Sequence, residues 1–155
     1  MKIKYYIDTS VFGGLYDEEF QDFTKLLFDK IEKENITIYY SELTEKELRE
    51  APVNVKEFIK QMSADKIEYL EISKEAYDLA LQYITEKVVA QTSYDDCVHI
   101  ALATINRADV LISWNFKHIV NLKRIHGYNA VNLKLGYPIL EIRSPKEIID
   151  YEDKD

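Results

Sequence analysis

Apolar residues follow two spacings along the chain, one typical of buried strands and one typical of amphipathic helices. Continuous β-branched and aromatic residues predict strands, beginning with the segment Ile3–Ile7. Apolar residues three or four positions apart predict helices, as with Phe20, Phe23, Leu27 and Ile31. The predicted strands cover residues 3–7, 36–41, 67–72, 110–114 and 139–142, and the predicted helices cover 17–33, 41–50, 54–64, 74–87, 93–107 and 116–125, with further helical turns over 128–135 and a short helix from 144.

Strands that alternate with helices through short connections predict a parallel sheet with right-handed crossovers and helices on both faces. The expected fold class is therefore α/β, with three α/β/α layers around a central sheet of about five parallel strands. The chain contains no internal repeat, low-complexity stretch or linker. We therefore expect one domain over residues 1–150 and a frayed acidic tail at 151–155.

The first predicted strand ends in Asp8, which Thr9 and Ser10 follow directly. In open parallel sheets, ligands bind in the crevice outside the carboxyl ends of the strands, so Asp8 occupies a position suited to chemistry. Capping of the following turn is the alternative use of an aspartate at this place. Other segments that bring polar side chains to the same edge decide between the two interpretations.

Three further polar residues are predicted to reach that edge. Asn115 follows the fourth strand, Asp96 opens the helix at 93–107, and Glu47 lies about one turn into the helix after the second strand. Crowded carboxylates raise each other's pKa and destabilise the protein unless cations share the site. Oxygen ligands favour Mg²⁺ or Mn²⁺, and such ions support phosphodiester hydrolysis.

The overall composition limits the classes of function. The 155 residues include 28 acidic and 20 basic side chains, a net charge of -8, which argues against wrapping nucleic acid through bulk positive charge. Only four glycines occur, and neither the Walker nor the Rossmann phosphate-binding pattern can be drawn. Clustered acids that bind metal ions remain compatible with this balance.

The same composition bears on the cellular compartment. Cys97 is the only cysteine, which excludes an intramolecular disulfide and a cysteine-rich zinc site and suits a reducing compartment. No apolar run approaches the length of a membrane-spanning helix, and the start lacks the layout of a signal peptide. We therefore expect a soluble, cytoplasmic protein without a membrane partner.

Four segments of the chain carry recognisable motifs: Tyr6-Ile7-Asp8-Thr9-Ser10-Val11, Thr44-x-x-Glu47-Leu48, Asp96-Cys97-Val98-His99-Ile100-Ala101 and Ala108-Asp109-Val110-Leu111-Ile112-Ser113-Trp114-Asn115-Phe116-Lys117-His118. In their order and spacing, these motifs resemble those of PIN-domain proteins, in particular the VapC-like toxin ribonucleases. The resemblance implies a five-stranded parallel PIN fold and Mg²⁺- or Mn²⁺-dependent endoribonuclease activity, often as the toxin of a type II toxin-antitoxin pair. The pattern runs from the start of the chain to about Ile142.

The resemblance assigns roles to individual positions. Asp8, Glu47 and Asp96 match the metal-binding acids of the family, and with Asn115 they form the expected catalytic set. Asn115 stands where the family often has a fourth aspartate, so it is expected to act as a neutral oxygen ligand or a water-positioning donor. A catalytically weak or inactive PIN scaffold that acts through protein or RNA binding is the alternative. The expected supporting hydroxyls are those of Thr9, Ser10 and Ser113.

Expected partners are an RNA substrate, a small antitoxin protein whose peptide lies across the acidic site, and a second copy of the chain in a homodimer. For His99, hydrogen-bonded packing is favoured over a role as catalytic base. For Lys117 and His118, a solvated helix start is the alternative to contact with a phosphate backbone. The choice of Asp96 over Asp95 rests on its interval to His99. The candidate RNA-contacting residues are Lys117, His118, Lys123 and Arg124.

Overall fold

The computed structural model describes residues 2–152, the last two by their backbone alone. Five parallel strands form one sheet in the order β3-β2-β1-β4-β5. The first strand lies at the centre, so its carboxyl end adjoins those of β2 and β4. The strands are β1 (Ile3–Ile7), β2 (Ile36–Ser41), β3 (Ile67–Leu70), β4 (Val110–Ile112) and β5 (Ile142–Arg143).

Within residues 2–152, eight helices connect and cover the strands. Short 3₁₀ turns at Leu48–Glu50, Ala64–Lys66 and Gln91–Ser93 join some of them to their neighbours. No helix within residues 2–152 is both long enough and apolar enough to cross a membrane. The helices are α1 (Thr9–Gly14), α2 (Gln21–Lys33), α3 (Glu42–Glu47), α4 (Val53–Gln61), α5 (Lys74–Thr85), α6 (Tyr94–Ile105), α7 (Leu122–Lys134) and α8 (Pro145–Glu152).

Alternation along the strands divides the apolar residues into two clusters. Tyr5 and Ile7 of β1 lie in a cluster with residues of α1, α2 and α4. Tyr6 and Leu111 point to the other face and lie in a cluster with residues of α5, α6 and α7. Successive side chains of a strand face opposite sides of the sheet, so both faces carry apolar residues. Helices cover these residues on each face. The predicted three-layer α/β/α fold with five parallel strands is confirmed.

Two predicted elements near the end of the chain were wrong in their bounds. The helix predicted over 116–125 and the further turns predicted over 128–135 form one helix, α7, which begins at Leu122 and runs through Gly127. A Cβ at Gly127 would lie 2.7 Å from Cγ1 of Val88, so this glycine allows close packing rather than ending the helix. The last strand begins at Ile142 rather than at 139. Asn129 binds both backbone groups of Leu140, at 2.7 and 3.0 Å, and so takes that residue out of the strand ladder.

The short helix α1 was missed because six residues are too few to show a helical period. It follows directly on Asp8 and buries Val11 and Phe12. At its last residue, Gly14, an added Cβ would lie 2.8 Å from Nε1 of Trp114, so the absence of a side chain lets the indole pack against the helix. The tip of β1 thus turns at once into a helix that packs beside the end of β4.

Candidate active site

Asp8 lies at the carboxyl end of β1 and is 5% exposed. It occupies the N-cap position of α1, yet its side chain makes no capping hydrogen bond, so the capping interpretation was wrong. Its Oδ2 accepts hydrogen bonds from Ser10 Oγ at 2.7 Å and Ser113 Oγ at 2.8 Å. Each serine oxygen in turn accepts a backbone N–H, from Trp114 and Asn115 respectively. These backbone donors leave both hydroxyl hydrogens for Asp8, which fixes its orientation.

Glu47 is the last residue of α3, and its side chain is 32% exposed. Thr9 Oγ1 donates a hydrogen bond to its Oε1 at 2.7 Å. His99 Nε2 lies 2.6 Å from the same oxygen. The neighbouring Glu45 instead accepts from the Tyr69 hydroxyl at 3.2 Å, at an exposed position. The structure therefore brings Glu47, and not Glu45, to the edge where Asp8 lies.

His99 is buried on α6 at 1% exposure and joins the two acids to the core. Its Nδ1 lies 2.6 Å from the hydroxyl of Tyr6, and its Nε2 lies 3.6 Å from Oδ1 of Asp8 in addition to contacting Glu47. The hydroxyl of Tyr6 also lies 2.9 Å from Oγ of Ser41. A continuous polar chain therefore runs from the start of α3, through β1 and α6, back to the end of α3.

Opposing effects act on the ionisation of His99 and Glu47. Burial lowers the pKa of His99, but its hydrogen bond to Glu47 and the charges of Asp8, Glu47 and Asp96 outweigh burial and leave the pKa raised. Burial raises the pKa of Glu47, but the hydrogen bond and charge of His99, with the bond from Thr9, leave it lowered. Both shifts favour the ionised pair, and the short contact suits a charge-assisted hydrogen bond.

Asp96 lies in the first turn of α6 and is partly buried, whereas Asp95 is exposed. Burial raises the pKa of the Asp96 carboxyl, and the charge of Asp8 raises it further, while His118 and His99 act in the opposite direction. The two aspartates therefore lie close enough to repel each other. This repulsion is what a bound cation would relieve.

Asn115 follows β4 and faces Asp96. Its Oδ1 accepts a hydrogen bond from the backbone N–H of His118 at 3.0 Å, which determines which end of the amide is oxygen. The Nδ2 group is therefore the end that lies 3.4 Å from Oδ1 of Asp96. Of the two roles predicted for this residue, a hydrogen-bond donor beside the acid fits this geometry.

The predicted basic contacts occupy different settings. Lys117 and Lys123 are exposed. His118 is partly buried, and its Nδ1 has no hydrogen-bond partner within residues 2–152. Arg124 donates from its guanidinium to the carbonyl of Val88, beyond the end of α5. RNA contact stays a prediction for all four, and the arginine has a structural role as well.

The acids of the site offer carboxylate oxygens to a divalent ion. No group of three or more His, Cys, Asp or Glu side chains in the described range 2–152 is arranged to hold a metal. Oε1 of Glu47 is taken by Thr9 and His99, which leaves Asp8 and Asp96 as the mutually repelling pair. Magnesium commonly binds proteins through one or two carboxylates, with water and substrate phosphate as the other ligands. The aspartate pair fits an ion held in that way.

Two spacings in the sequence agree with the polar chain, and the first of them also favours Asp96 over Asp95. Asp96 and His99 are three residues apart on a helix, which places them on one face. Tyr6 and Asp8 are two residues apart at a strand end, which directs both to the same side of the sheet. The sequence predicts packing for His99 and does not indicate its contact with Glu47, because the two residues lie on distant segments.

An α/β protein with paired aspartates at the carboxyl edge of a parallel sheet is the class that this fold and site define. A comparison with protein-family models matches residues 5–118 to the PIN domain. The chain therefore belongs to the PIN-domain family. No curated protein matches it in sequence.

Solved structures with similar folds include three toxin or toxin-antitoxin proteins. VapBC2 from Rickettsia felis, bound to a promoter DNA fragment, shares 14% identity at a TM-score of 0.57 and covers 92% of this chain and 98% of its own. VapC20 from Mycobacterium tuberculosis, a Sarcin-Ricin loop cleaving toxin, shares 11% identity at 0.57 and covers 73% and 91%. DNA-bound VapBC from Salmonella typhimurium shares 14% identity at 0.56 and covers 92% and 98%. At these identities the similarity establishes the fold.

Proposed function

We propose that the protein is a divalent-metal-dependent endoribonuclease that hydrolyses RNA phosphodiester bonds. The observation that carries the proposal is that Asp8, which is buried, and Asp96, which is partly buried, lie close enough for the charge of Asp8 to raise the pKa of the Asp96 carboxyl. The pair lies at the carboxyl edge of a PIN-domain sheet. One of the similar folds belongs to a toxin that cleaves the Sarcin-Ricin loop, which supports RNA as the substrate.

In this proposal Asp8 and Asp96 hold Mg²⁺ or Mn²⁺, and Glu47 supports the site from the end of α3. A bound ion would polarise the scissile phosphate and lower the pKa of a bound water. Ser10 and Ser113 keep Asp8 in one orientation through two hydrogen bonds to Oδ2. A site fixed in advance stabilises developing charge without reorganisation during the reaction.

Asn115 has a separate role in the proposed reaction. Its Nδ2 group lies beside Asp96 and can donate a hydrogen bond to a water or a phosphate oxygen that approaches the acid. Lys117, two residues further on and exposed, is placed to meet the RNA backbone. Base contacts or shape must then select the target, because a few cations alone carry no sequence information.

The test is cleavage of single-stranded RNA by the purified full-length protein with Mn²⁺. We expect cleavage that EDTA stops and that Asp8→Asn abolishes, together with Mn²⁺ binding in titration calorimetry that the same substitution weakens. Asp95→Asn is the matched control, because it removes an exposed aspartate beside the site and should leave both signals intact. Absence of cleavage together with absence of Mn²⁺ binding would reject the proposal.

A catalytically weak PIN scaffold is the second candidate. Asn115 in place of an acid favours it, as does the lack of a three-ligand metal group within residues 2–152. Under this alternative the protein binds RNA with Mn²⁺ present but does not cut it. Gel shifts with an intact labelled RNA, run beside the cleavage assay, separate binding from hydrolysis.

We also propose that the protein is the toxin of a type II toxin-antitoxin pair in the cytoplasm. Two of the similar structures are VapBC assemblies, and a net charge of -8 favours a basic partner peptide. Expression from its native operon should yield a complex with a small basic protein that suppresses cleavage. If the protein purifies alone from that operon and no neighbouring gene restrains it, the toxin assignment fails.

A homodimer is the proposed state of the free protein. Light scattering coupled to gel filtration should then give twice the 18.2 kDa of one chain, and a mass of one chain would reject the dimer. We further propose that residues 1–150 act as one domain, since the sheet takes strands from both Ile3–Ile7 and Ile142–Arg143. A single cooperative unfolding transition is the expected sign, and two separate transitions would contradict it.

A further inference from the structure

The polar chain through His99 connects the buried core to the exposed rim of the site. The imidazole is 1% exposed, and each of its nitrogens lies 2.6 Å from a partner, the hydroxyl of Tyr6 on one side and Oε1 of Glu47 on the other. A histidine buried only for packing would need partners within the core. Here one partner is a carboxylate whose side chain is 32% exposed.

We propose that His99 is a positioning residue, anchored by Tyr6, that holds the Glu47 carboxylate in the orientation required for RNA cleavage. This inference rests on the proposed nuclease function and assigns a role within that site. His99 itself contacts neither substrate nor scissile phosphate in this proposal. It acts through Glu47.

Glu47 needs such support because it is a long side chain at a partly exposed position. A free glutamate populates many rotamers, and ordering it costs conformational entropy. Thr9 and His99 both bond the same oxygen, Oε1. Oε2 has no hydrogen-bond partner within the described part of the chain, so the two bonds fix the carboxylate while leaving one oxygen available for the site.

The anchor of His99 also sets the start of the helix that carries Glu47. The hydroxyl of Tyr6 lies 2.9 Å from Oγ of Ser41, and Ser41 caps α3 by accepting the backbone N–H of Thr44 at 3.1 Å. One network therefore holds both ends of α3, its first turn through Ser41 and its last residue through His99. Rotation or translation of this six-residue helix would break contacts at both ends.

Asp8 depends on His99 much less than Glu47 does. The distance from Nε2 to Oδ1 of Asp8 is 3.6 Å, beyond an ordinary hydrogen bond, and Oδ2 is already held by Ser10 and Ser113. Loss of the imidazole should therefore release Glu47 while Asp8 stays in place. This difference distinguishes a positioning role from general collapse of the site.

The test compares four variants of the full-length protein. His99→Ala removes the contacts at both nitrogens, and His99→Gln offers an amide that can bond Tyr6 and Glu47 together. Tyr6→Phe removes the anchor of His99 together with its contact to Ser41, but leaves the imidazole in place. Tyr83→Phe is the matched control, because Tyr83 is equally buried and donates one hydroxyl bond, to Asn132 at 2.5 Å, away from the acids. Circular dichroism and thermal melts select the variants that remain folded.

With Mn²⁺ and single-stranded RNA, we expect His99→Ala to lower kcat by about 10- to 100-fold with little change in KM, as for other residues that orient active-site ligands. Tyr6→Phe should lower kcat less, and His99→Gln should recover most of the loss. Crystal structures should show Glu47 displaced in His99→Ala and unmoved in Tyr83→Phe. Wild-type kcat in folded His99→Ala, or an equal loss in Tyr83→Phe, would overturn the inference.

If the wild-type protein cleaves no RNA, the proposed function fails first, and the position of Glu47 alone decides the inference. A carboxylate that keeps its place in the crystal structures of His99→Ala and Tyr6→Phe would overturn it. Displacement in these two variants, with Tyr83→Phe unchanged, would show that the anchor works without the proposed reaction.

Discussion

Two buried tyrosines in the same apolar cluster use their hydroxyl groups in different ways. Tyr83 donates to Oδ1 of Asn132 at 2.5 Å, and the amide of Asn132 donates to Thr104 Oγ1 at 3.2 Å. All members of that network are neutral. The hydroxyl of Tyr6 instead lies 2.6 Å from His99, through which it connects to the carboxylates of the candidate site.

The first network is confined to the core, whereas the second connects the core to the candidate site. Burial raises the pKa of both tyrosines well above the usual range, so both remain protonated at neutral pH. The neutral network therefore contributes the same stability at every ordinary pH. The network of Tyr6 includes His99 and Glu47, whose charges depend on pH, so its contribution changes with pH.

Loss of Asn132 from the neutral network should lower the stability of the protein more than any other change considered below. Asn132→Ala removes the amide that binds the buried hydroxyls of both Tyr83 and Thr104, and each buried group that loses its partner costs about 1–3 kcal/mol. We expect the free energy of unfolding to fall by about 3 kcal/mol, with RNA cleavage per folded molecule unchanged. Urea denaturation measures the loss.

Thr37→Val is the matched control for that experiment. The hydroxyl of Thr37 is buried and has no hydrogen-bond partner within residues 2–152, so replacing it with a methyl group should be neutral or stabilising. An Asn132→Ala protein as stable as Thr37→Val would mean that the neutral network does not hold the fold.

An added carboxylate at position 115 should strengthen cation binding at the candidate site. Asn115→Asp would place a fourth acid beside Asp96, where Nδ2 now lies 3.4 Å from Oδ1. Affinity for hard cations rises with the charge of the ligands, so we expect Mn²⁺ to bind about tenfold more tightly, or about 1.4 kcal/mol.

Titration calorimetry measures that affinity. Asn54→Asp adds the same charge at an exposed position on α4 and serves as the control. Equal affinity in the two variants would show that position 115 lies outside the cation site.

Much of this site could be predicted because parallel strands end at a common edge. Asp8 and Asn115 follow neighbouring strands, and Asp96 opens a helix at the same edge, so their meeting follows from topology. The hydrophobic period also located most elements to within a few residues. These features depend on local patterns, which a single sequence displays.

The features that could not be predicted depend on contacts between distant residues. Two hydrogen bonds from Asn129 keep Leu140 out of β5. Nothing in the sequence of residues 139–142 indicates that a side chain of another element binds the backbone there. A glycine such as Gly127 is typical of a helix end, and only the structure shows that it packs closely against Val88. His99 lies in an apolar stripe, so only its neighbours in space separate a packing role from a positioning one.

Replacement of Asp96 should stabilise the metal-free protein. The raised pKa of Asp96 means that its ionised form destabilises the fold without metal, so Asp96→Asn should raise Tm. The partly exposed charge is screened, which limits the gain to about 1 kcal/mol or a rise of about 2–4 °C.

Saturating Mn²⁺ should invert that order by stabilising the wild-type protein alone. Thermal melts with and without Mn²⁺ measure both effects, and the exposed Asp95→Asn is the control. A lower Tm for metal-free Asp96→Asn would show that the aspartate stabilises the fold by itself.

The pH dependence of stability should be the smallest effect, and only the network of Tyr6 should contribute to it. The pKa of His99 is raised above 6.5, so its stabilising contribution is complete below pH 6.5 and is lost as pH rises through the folded-state pKa. The pKa of Glu47 is lowered below 4.5, so its contribution is present above pH 4.5 and is lost as pH falls through the folded-state pKa. Asp96 opposes the acid-side loss, since its raised pKa favours the fold as pH falls toward 3.8.

Wild-type stability should therefore decline on the alkaline side by less than about 1 kcal/mol, because Glu47 is partly exposed and screened. His99→Gln should lack that decline, whereas Tyr83→Phe should be less stable than the wild type by the same amount at every pH. Urea denaturation between pH 5 and pH 9 measures both. A decline of equal size in His99→Gln would assign the pH dependence to other groups and would leave the two tyrosine networks alike in this respect.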